Sequence, residues 1–375
     1  MIRFTLSRFR AQATVAAVAL AVIAVVAAII GPHLAHLWNA ILAPCLAAHP
    51  GLADHPANAR QDCLSAMQGL AREYGPYGWL RDAAGMAVLV VPGLIGVFWG
   101  APLVAPELAT GTYRLAWTQG VTRSRWLAVK LGLIGLASVG AAGLLTLVVT
   151  SWASPVDRLD ALAAAAYLPD VSRFQPLLFS ERGVVPAGYA AFAFALGATA
   201  GALLRRTLPA MVIALAGFPA ALLAMMFWVR PHLAAATHRI LAITKATPIG
   251  LLGSPGSPHT GTKLAAGSGF QLPVQLPNIP GAWIFSDQIV GKAGHGPTYQ
   301  YFKSTCAGVL PPATPTRTAM QACNVKLAAA GFHQLVTLQP ASRYWPFQWY
   351  ETATFTALAL ALAACCLWWI QHRPA

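Results

Sequence analysis

Six cysteines carry the best-defined chemistry of this chain, and they fall into three pairs. Cys45 with Cys63, and Cys306 with Cys323, lie in polar stretches, where each pair can close a local disulfide in an oxidising compartment. The third pair is adjacent and lies in an apolar run, where cysteine packs as a small hydrophobe. No metal site is predicted, because the sequence contains no CxxC and no cysteine–histidine cluster.

Catalytic motifs are absent from the sequence. The chain has neither a GxSxG nucleophile elbow nor an HExxH zinc motif. His33 and His36 would share a helical face, but they lack a third ligand, which favours an incidental surface pair over a metal site. Asp157 and Asp160 could be paired carboxylates, yet the neighbouring Arg158 favours a solvated charged cluster. Catalysis by this chain alone therefore has little support.

One glycine-rich stretch, GSPHTGTK at 256–263, resembles a phosphate-binding loop. It ends in Thr262 and Lys263, whereas the motif requires lysine followed by serine or threonine, and no predicted strand precedes it. Its glycine and proline residues are typical of flexible turns. We therefore predict no ATP site and no other cofactor site in this chain.

Ionisable residues are nearly absent from the long apolar runs. Ion-coupled carriers commonly hold Asp, Glu or His within the membrane as relays, so this scarcity argues against proton-coupled transport. Only Glu351 lies inside an apolar run, near its beginning. It is either an interfacial carboxylate beside Tyr350 or a gate or substrate contact, and the sequence leaves both alternatives open.

The composition identifies the class of protein. Of the 375 residues, 57% are hydrophobic and only 10% are charged, whereas about a quarter are charged in soluble proteins. The net charge of +14 is spread along the chain without a recognisable binding module, which argues against nucleic acid as a partner. We expect a membrane protein in contact with lipid.

The predicted fold is an all-α polytopic membrane protein, because six apolar runs have about the 20 residues needed to cross a bilayer. We predict membrane spans at 11–30, 83–105, 131–151, 185–204, 208–229 and 349–370. Residues 1–10 predict an interfacial helix in front of the first span, and a cleaved signal peptide is the alternative. Gly197 and Gly201 form a GxxxG motif in the fourth span, which favours helix packing over dimerisation.

The distribution of basic residues predicts the orientation. Ten of the 25 Lys and Arg residues, with Glu107 as the accompanying acid, lie in 43 residues of four short segments, which are 1–10, 106–130, 205–207 and 371–375. Basic residues mark cytoplasmic loops, so these segments and both termini are predicted to be cytoplasmic. The outer segments are then 31–82, 152–184 and 230–348. The cysteine pairs fall outside, where disulfides form.

The long segment 230–348 is predicted to be a mixed extracytoplasmic insertion between the fifth and sixth spans. It is rich in Pro, Gly, Ser and Thr and has no apolar run long enough to cross a membrane. Two pieces are predicted to be ordered. One is AWIFSDQIV, whose β-branched and aromatic residues favour a strand, and the other is the segment from Cys306 to Cys323.

The segment 106–130 carries the most specific pattern in the chain. It reads as an acidic helix, Gly-Thr, an apolar stretch, a basic turn and a lysine before the next span. This pattern resembles the cytoplasmic loop of ABC-2 type transporter permeases, and QPASRYWPFQWYETA before the last span resembles the equivalent region of bacterial members. The matching residues of the loop are Glu107, Gly111, Thr112, Val121, Arg123, Arg125 and Lys130.

The resemblance implies a fold like the type V exporters, with two permease and two ATPase units. It implies that 106–130 is a coupling helix that docks into a separate subunit, which holds ATP and Mg. Family members often have a basic residue before the glutamate and a second acid two positions after it, where this chain has Pro106 and Ala109. Glu107 alone keeps the acidic contact, so apolar contacts gain importance.

Tyr113 and Trp117 are the candidate aromatic contacts, because residues four apart share a helix face and such side chains often dominate interface energy. A segment lying on lipid would need similar residues. The resemblance favours docking.

Together these observations predict the permease subunit of an ATP-driven exporter in a bacterial cytoplasmic membrane. It would pair with a second permease copy or homologue and move an amphipathic or hydrophobic substrate. One alternative is a membrane sensor with an outer ligand-binding domain. A polytopic enzyme is another, although no convergent catalytic site is visible.

Overall fold

The computed structural model describes residues 2–48, 57–110, 122–166, 173–245, 247, 279, 281–292, 294–309 and 316–372. The chain divides into two compact units. The helical unit comprises Met1–Ala163, Gln175–Ala234 and Tyr344–Ala375. The sheet unit comprises Ala164–Phe174 and Ala235–Arg343.

Long helices dominate the helical unit because its apolar runs satisfy their backbone hydrogen bonds internally. Its helices are α1 (Ile2–Leu37), α2 (Ala43–Ala48), α3 (Ala57–Ile95), α4 (Ala105–Thr110), α5 (Arg123–Ala166), α6 (Pro176–Glu181), α7 (Val185–Leu204) and α8 (Thr207–Ala224). After the sheet unit, with its helices α9 (Tyr299–Thr305) and α10 (Arg317–Ala329), the chain returns in α11 (Tyr344–His372).

Six helical stretches are long and apolar enough to cross a membrane, judged by length and composition. They are Arg10–Cys45, Tyr77–Thr110, Ser124–Ser154, Val185–Leu204, Thr207–His232 and Ala341–His372. Each predicted span lies within one of these stretches. The prediction of a polytopic helical membrane protein is therefore confirmed.

The helices extend further than hydropathy indicates. α1 joins the predicted interfacial helix to the first span, and α5 includes the last eight residues of the predicted loop 106–130. α5 also continues past the third span to Ala166. Once a helix is nucleated, each further residue adds a hydrogen bond, so polar but helix-forming residues prolong it.

The end of the second span is fixed by close backbone contacts with α7. After α3 the chain forms a π-helical turn, Gly96–Gly100, and a 3-10 turn, Ala101–Leu103, before α4. A Cβ at Gly197 would overlap the carbonyl oxygen of Gly96, and one at Gly201 would lie 2.5 Å from that of Ala101. These contacts lie within one chain, which confirms the packing interpretation of the GxxxG motif.

Three antiparallel strands form the sheet, in the order β1 (Thr237–Ala242), β3 (His333–Gln339) and β2 (Trp283–Val290). β2 is the strand predicted from AWIFSDQIV, so that prediction is confirmed. Phe302 of α9 and Leu327 of α10 are fully buried in the core of this unit. The insertion is shorter than predicted at both ends, because 230–234 and 344–348 belong to the helical unit.

An incompletely partnered carboxylate lies in this sheet. Gln334 on β3 donates a 2.7 Å hydrogen bond to Oδ2 of Asp287 on β2, while Oδ1 is buried and meets no hydrogen-bond donor in the described ranges. Burial raises the pKa of Asp287 from 3.8 to about 6, although the bond from Gln334 lowers it. The folded state therefore binds the proton more tightly than the unfolded state.

We expect the sheet unit to lose stability as the pH rises from about 4 to about 6 and to change little above that, because ionising buried Asp287 is unfavourable. Asp287→Asn should remove this dependence and protect β2 and β3 at pH 7.5 by about 1 kcal/mol, after discounting the shift for partial exposure. Hydrogen exchange of the full chain at pH 7.5 and pH 4.5 measures the difference. Asp82→Asn, which changes an exposed carboxylate, is the control. Equal protection of the wild type and Asp287→Asn at both pH values would contradict this expectation.

Candidate functional site

The predicted coupling segment is described at its two ends. Glu107 lies in α4, and Thr122, Arg125 and Lys130 lie at or near the start of α5. Arg123 is the first residue of α5. The predicted residues Gly111, Thr112, Tyr113 and Trp117 lie outside the described residues, so their predicted roles stay predictions.

A buried ion pair joins these two ends. Nζ of Lys130 lies 2.6 Å from Oε2 of Glu107, and their side chains are only 7% and 14% exposed. The same ammonium group lies 4.4 Å from the centre of the Trp126 ring. Short, charge-assisted bonds of this kind are stronger than neutral ones. The two residues predicted separately thus form one contact, which ties α4 to the first turns of α5.

The start of α5 is fixed by its N-cap residue, Thr122. The hydroxyl oxygen of Thr122 accepts a 3.3 Å hydrogen bond from the backbone N–H of Arg125. Threonine is a favoured N-cap residue because it satisfies one of the free N–H groups of the first turn. Lys130 then follows on the second turn and is 5% exposed, whereas Arg125 is exposed.

A second buried ion pair surrounds Glu351, the predicted gate residue. Nε and Nη2 of Arg230 lie 2.9 Å from Oε2 and Oε1 of Glu351, respectively, and both side chains are fully buried. The hydroxyl of Tyr189 on α7 donates a short hydrogen bond to Oε1. Glu351 is therefore a buried carboxylate paired with an arginine, and its interfacial position stays a prediction. No finding tests its role as a gate, which stays a prediction.

Each of the three guanidinium nitrogens of Arg230 has a hydrogen-bond partner. Nη2 donates to Oγ of Ser180 at 2.7 Å, and Nη1 donates to the carbonyl of Pro176 at 3.1 Å. Its Cζ lies 4.2 Å from the centre of the Phe179 ring, a cation–π contact. The cluster therefore joins α6, α7 and α11 to the end of the fifth span.

Sequence reasoning missed Arg230, Tyr189 and Ser180. Arg230 was assigned to the insertion because it follows the apolar run of the fifth span. One signal was available: an acid inside a membrane span needs a partner, and the arginine at a neighbouring span end is a matching candidate. The sequence gives no distance between them, since 121 positions separate the two residues.

A third charged cluster lies where α3, α5 and α6 approach one another. Asp157 pairs with Arg182 at 2.9 Å and with Arg81 at 3.6 Å. Burial raises the pKa of Glu181, although Arg182 and Arg81 lower it. Asp157 is thus held by two arginines, while the side chains of Arg158 and Asp160, the other members of the predicted cluster, lie outside those described. Within the described ranges, no group of three His, Cys, Asp or Glu residues could hold a metal ion.

Both predicted disulfides are confirmed. Cys45 in α2 bonds to Cys63 in α3, with 5.7 Å between the Cα atoms, and Cys306 bonds to Cys323 in α10, with 5.0 Å. These separations are normal for disulfides. The second bond lies in the core of the sheet unit, where both cysteines are buried.

The six candidate spans define a multi-pass membrane protein. The ion pair between Glu107 and Lys130 joins its second and third spans at the segment 106–130. The chain belongs to the family described as ABC-2 membrane transporter related, whose model matches residues 17–230. This confirms the resemblance seen in the segment 106–130 and makes the chain a transport permease at the level of the family. The family implies association with an ABC ATPase subunit.

The family match has clear limits along the chain. It begins within the first span and ends at Arg230, so the three strands and α11 lie beyond it. Comparison with curated proteins and with solved structures gives no match. Glu351 therefore lies outside the matched part, although its partner Arg230 is the last residue inside it.

Proposed function

We propose that this chain is the transmembrane permease subunit of an ATP-binding cassette exporter in a bacterial cytoplasmic membrane. It works as a dimer, with a second copy or a homologue, and moves an amphipathic or hydrophobic substrate. ATP and Mg are held by a separate ATPase subunit. The observation that carries the proposal is the ion pair between Glu107 and Lys130, taken with the family match.

The ion pair between Glu107 and Lys130 joins the two ends of the segment 106–130. We call this segment the lever and the ion pair its base. Because Glu107 lies at the end of the second span and Lys130 at the start of the third, a force applied to α4 is passed to both spans together. The pair is mostly buried, which protects it from salt and water. Glycine contacts with α7 hold the other side of this base, because Gly201 faces Ala101 and Ala105.

The orientation follows from charge. The segment 106–130 holds four Lys or Arg residues and one acid, and a basic excess marks the cytoplasmic side. We therefore propose that the lever and both termini lie on this side, where ATP is available. The cysteine-bearing segments then face the oxidising side, in keeping with the two disulfides.

We expect the double variant Trp117→Ala with Glu107→Ala to reduce recovery of the ATPase subunit at least tenfold, because it removes an aromatic anchor and breaks the ion pair that ties α4 to α5. The measurement is native extraction followed by mass spectrometry of co-purified ATP-binding proteins. Trp79→Ala, which changes an exposed tryptophan of α3, is the matched control. Absence of an ATP-binding partner from the wild-type extract, or unchanged recovery and transport in the double variant, would refute the permease proposal.

The base of the lever is tested separately by exchanging charges. Glu107→Gln should reduce ATPase activity of the assembled complex, whereas the exchange Glu107→Lys with Lys130→Glu should restore part of it. Restoration by the exchange shows that the pair acts as a tie between the spans. Loss in both variants would instead assign Glu107 a direct contact with the partner.

A further inference from the structure

A cleft of about 430 Å³ lies between α1 and α5. Its α1 wall consists of small residues, among them Ala24, Ala28 and Gly31, and its α5 wall includes Ser151 and Trp152. Small residues in membrane helices normally allow close packing of the partner helix. Here they border open space of the size that ligand sites occupy. The cleft is therefore a candidate ligand site in the helical unit.

A polar group at the edge of this cleft lacks a partner. Trp152 is 8% exposed, and its indole N–H is buried with no hydrogen-bond acceptor among the described residues. A Cβ at Gly31 would lie 3.5 Å from Cδ1 of Trp152, the carbon bonded to that nitrogen. This edge of the ring thus faces Gly31, and both residues line the cleft. Buried tryptophan N–H groups usually find a partner.

The other polar side chains of the cleft are already committed. The hydroxyl of Ser151 donates to the carbonyl of Val148, and that of Ser154 donates to the carbonyl of Ser151, both at 2.9 Å. The indole is then the available side-chain donor, and it cannot accept. The complementary ligand has a hydrogen-bond acceptor attached to an apolar body.

We propose that this cleft binds one acyl chain of an ester-linked membrane lipid, whose carbonyl accepts the N–H of Trp152. Trp152 lies near the end of the candidate span Ser124–Ser154, and tryptophan in such positions sits at the headgroup level. Ester carbonyls lie at that depth, and the chain extends from there past Ala28 and Ala24. Because membrane lipid is abundant beside both helices, the site is occupied without depending on transport.

Photolabelling tests the site in the full chain. The protein is reconstituted in vesicles of phosphatidylethanolamine and phosphatidylglycerol that contain a phosphatidylethanolamine with a diazirine in its acyl chain. Labelling should concentrate on residues 24–35 and 148–154. Ala28→Leu, which fills the cleft, should reduce it at least fivefold. Ala19→Leu, on the exposed opposite face of α1, should leave it unchanged.

A second measurement isolates the hydrogen bond. Trp152→Phe should reduce retention of an ester-linked lipid about fivefold in native mass spectrometry, the effect of one neutral hydrogen bond. Retention of the ether-linked analogue, which lacks the carbonyl, should not change. If Ala28→Leu does not fold, the comparison of ester-linked and ether-linked lipid in Trp152→Phe tests the proposal by itself.

Three results would overturn the proposal. They are equal labelling of the opposite face of α1, equal loss of ester and ether lipids in Trp152→Phe, and cross-links from 24–35 to a second copy of the chain, which would make the cleft a protein interface. Capture of an ATPase partner is unaffected by all three, so failure of the lipid site is separable from failure of the permease proposal.

Discussion

Glu351→Ala is expected to lower the free energy of unfolding of the helical unit by about 3–5 kcal/mol, the cost of leaving one partner of a buried ion pair uncompensated. The remaining group is the guanidinium of Arg230, which is fully buried and would be left without its carboxylate partner. Tyr189 would lose an acceptor in the same step. Heating purified full-length protein in detergent and measuring the folded fraction gives the melting temperature.

Two control variants separate charge from shape. Glu351→Gln keeps the volume but removes the charge, so it should fall between the wild type and alanine. Glu351→Leu with Arg230→Met removes both charges and should recover much of the stability, because apolar replacement of a whole buried pair is often neutral or favourable. If the double variant is less stable than Glu351→Ala, the uncompensated charge is not the cause of the loss.

The same variants distinguish a structural tie from a gate. The pair lies where the chain leaves the helical unit at Ala234 and re-enters it at Tyr344, so it holds the end of the fifth span against the start of the sixth. A tie predicts that activity follows stability across the series. A gate predicts that the apolar double variant folds normally but does not transport. Transport by that folded variant would exclude the gate.

Gly197→Val is expected to prevent assembly of the helical unit or to cost more than about 3 kcal/mol, at or beyond the upper range of core overpacking. A Cβ at this position would overlap the backbone of Gly96, and backbone cannot move aside as a flexible side chain can. Expression level and melting temperature report the effect. The matched control is Gly132→Val in α5, where a Cβ meets nothing within 4 Å.

This contact also positions the proposed lever. Gly201, one turn after Gly197, faces Ala101 and Ala105, the residues that lead into α4. Gly201→Ala should therefore displace Glu107 relative to Lys130 with a smaller loss of stability than Gly197→Val. If Gly197→Val and Gly132→Val are equally stable, the close approach of α3 and α7 does not hold in the membrane.

Much of the architecture follows from the sequence because hydropathy and disulfide spacing are local properties. An apolar run of sufficient length crosses a membrane whatever surrounds it, and the six spans were predicted on that basis. The two cysteines of each disulfide are fewer than 20 residues apart, so the pairing of Cys45 with Cys63 and of Cys306 with Cys323 could also be predicted. The pattern around Glu107 was specific enough to indicate the family.

Only the tertiary structure decided which charged residues meet. Lys130 and Glu107 pair across 23 positions, and Arg230 and Glu351 across 121. Such contacts depend on how each helix is rotated and packed against its neighbours, which hydropathy alone does not determine. The cleft beside Trp152 is a similar case, since a row of small residues predicts close packing as readily as open space.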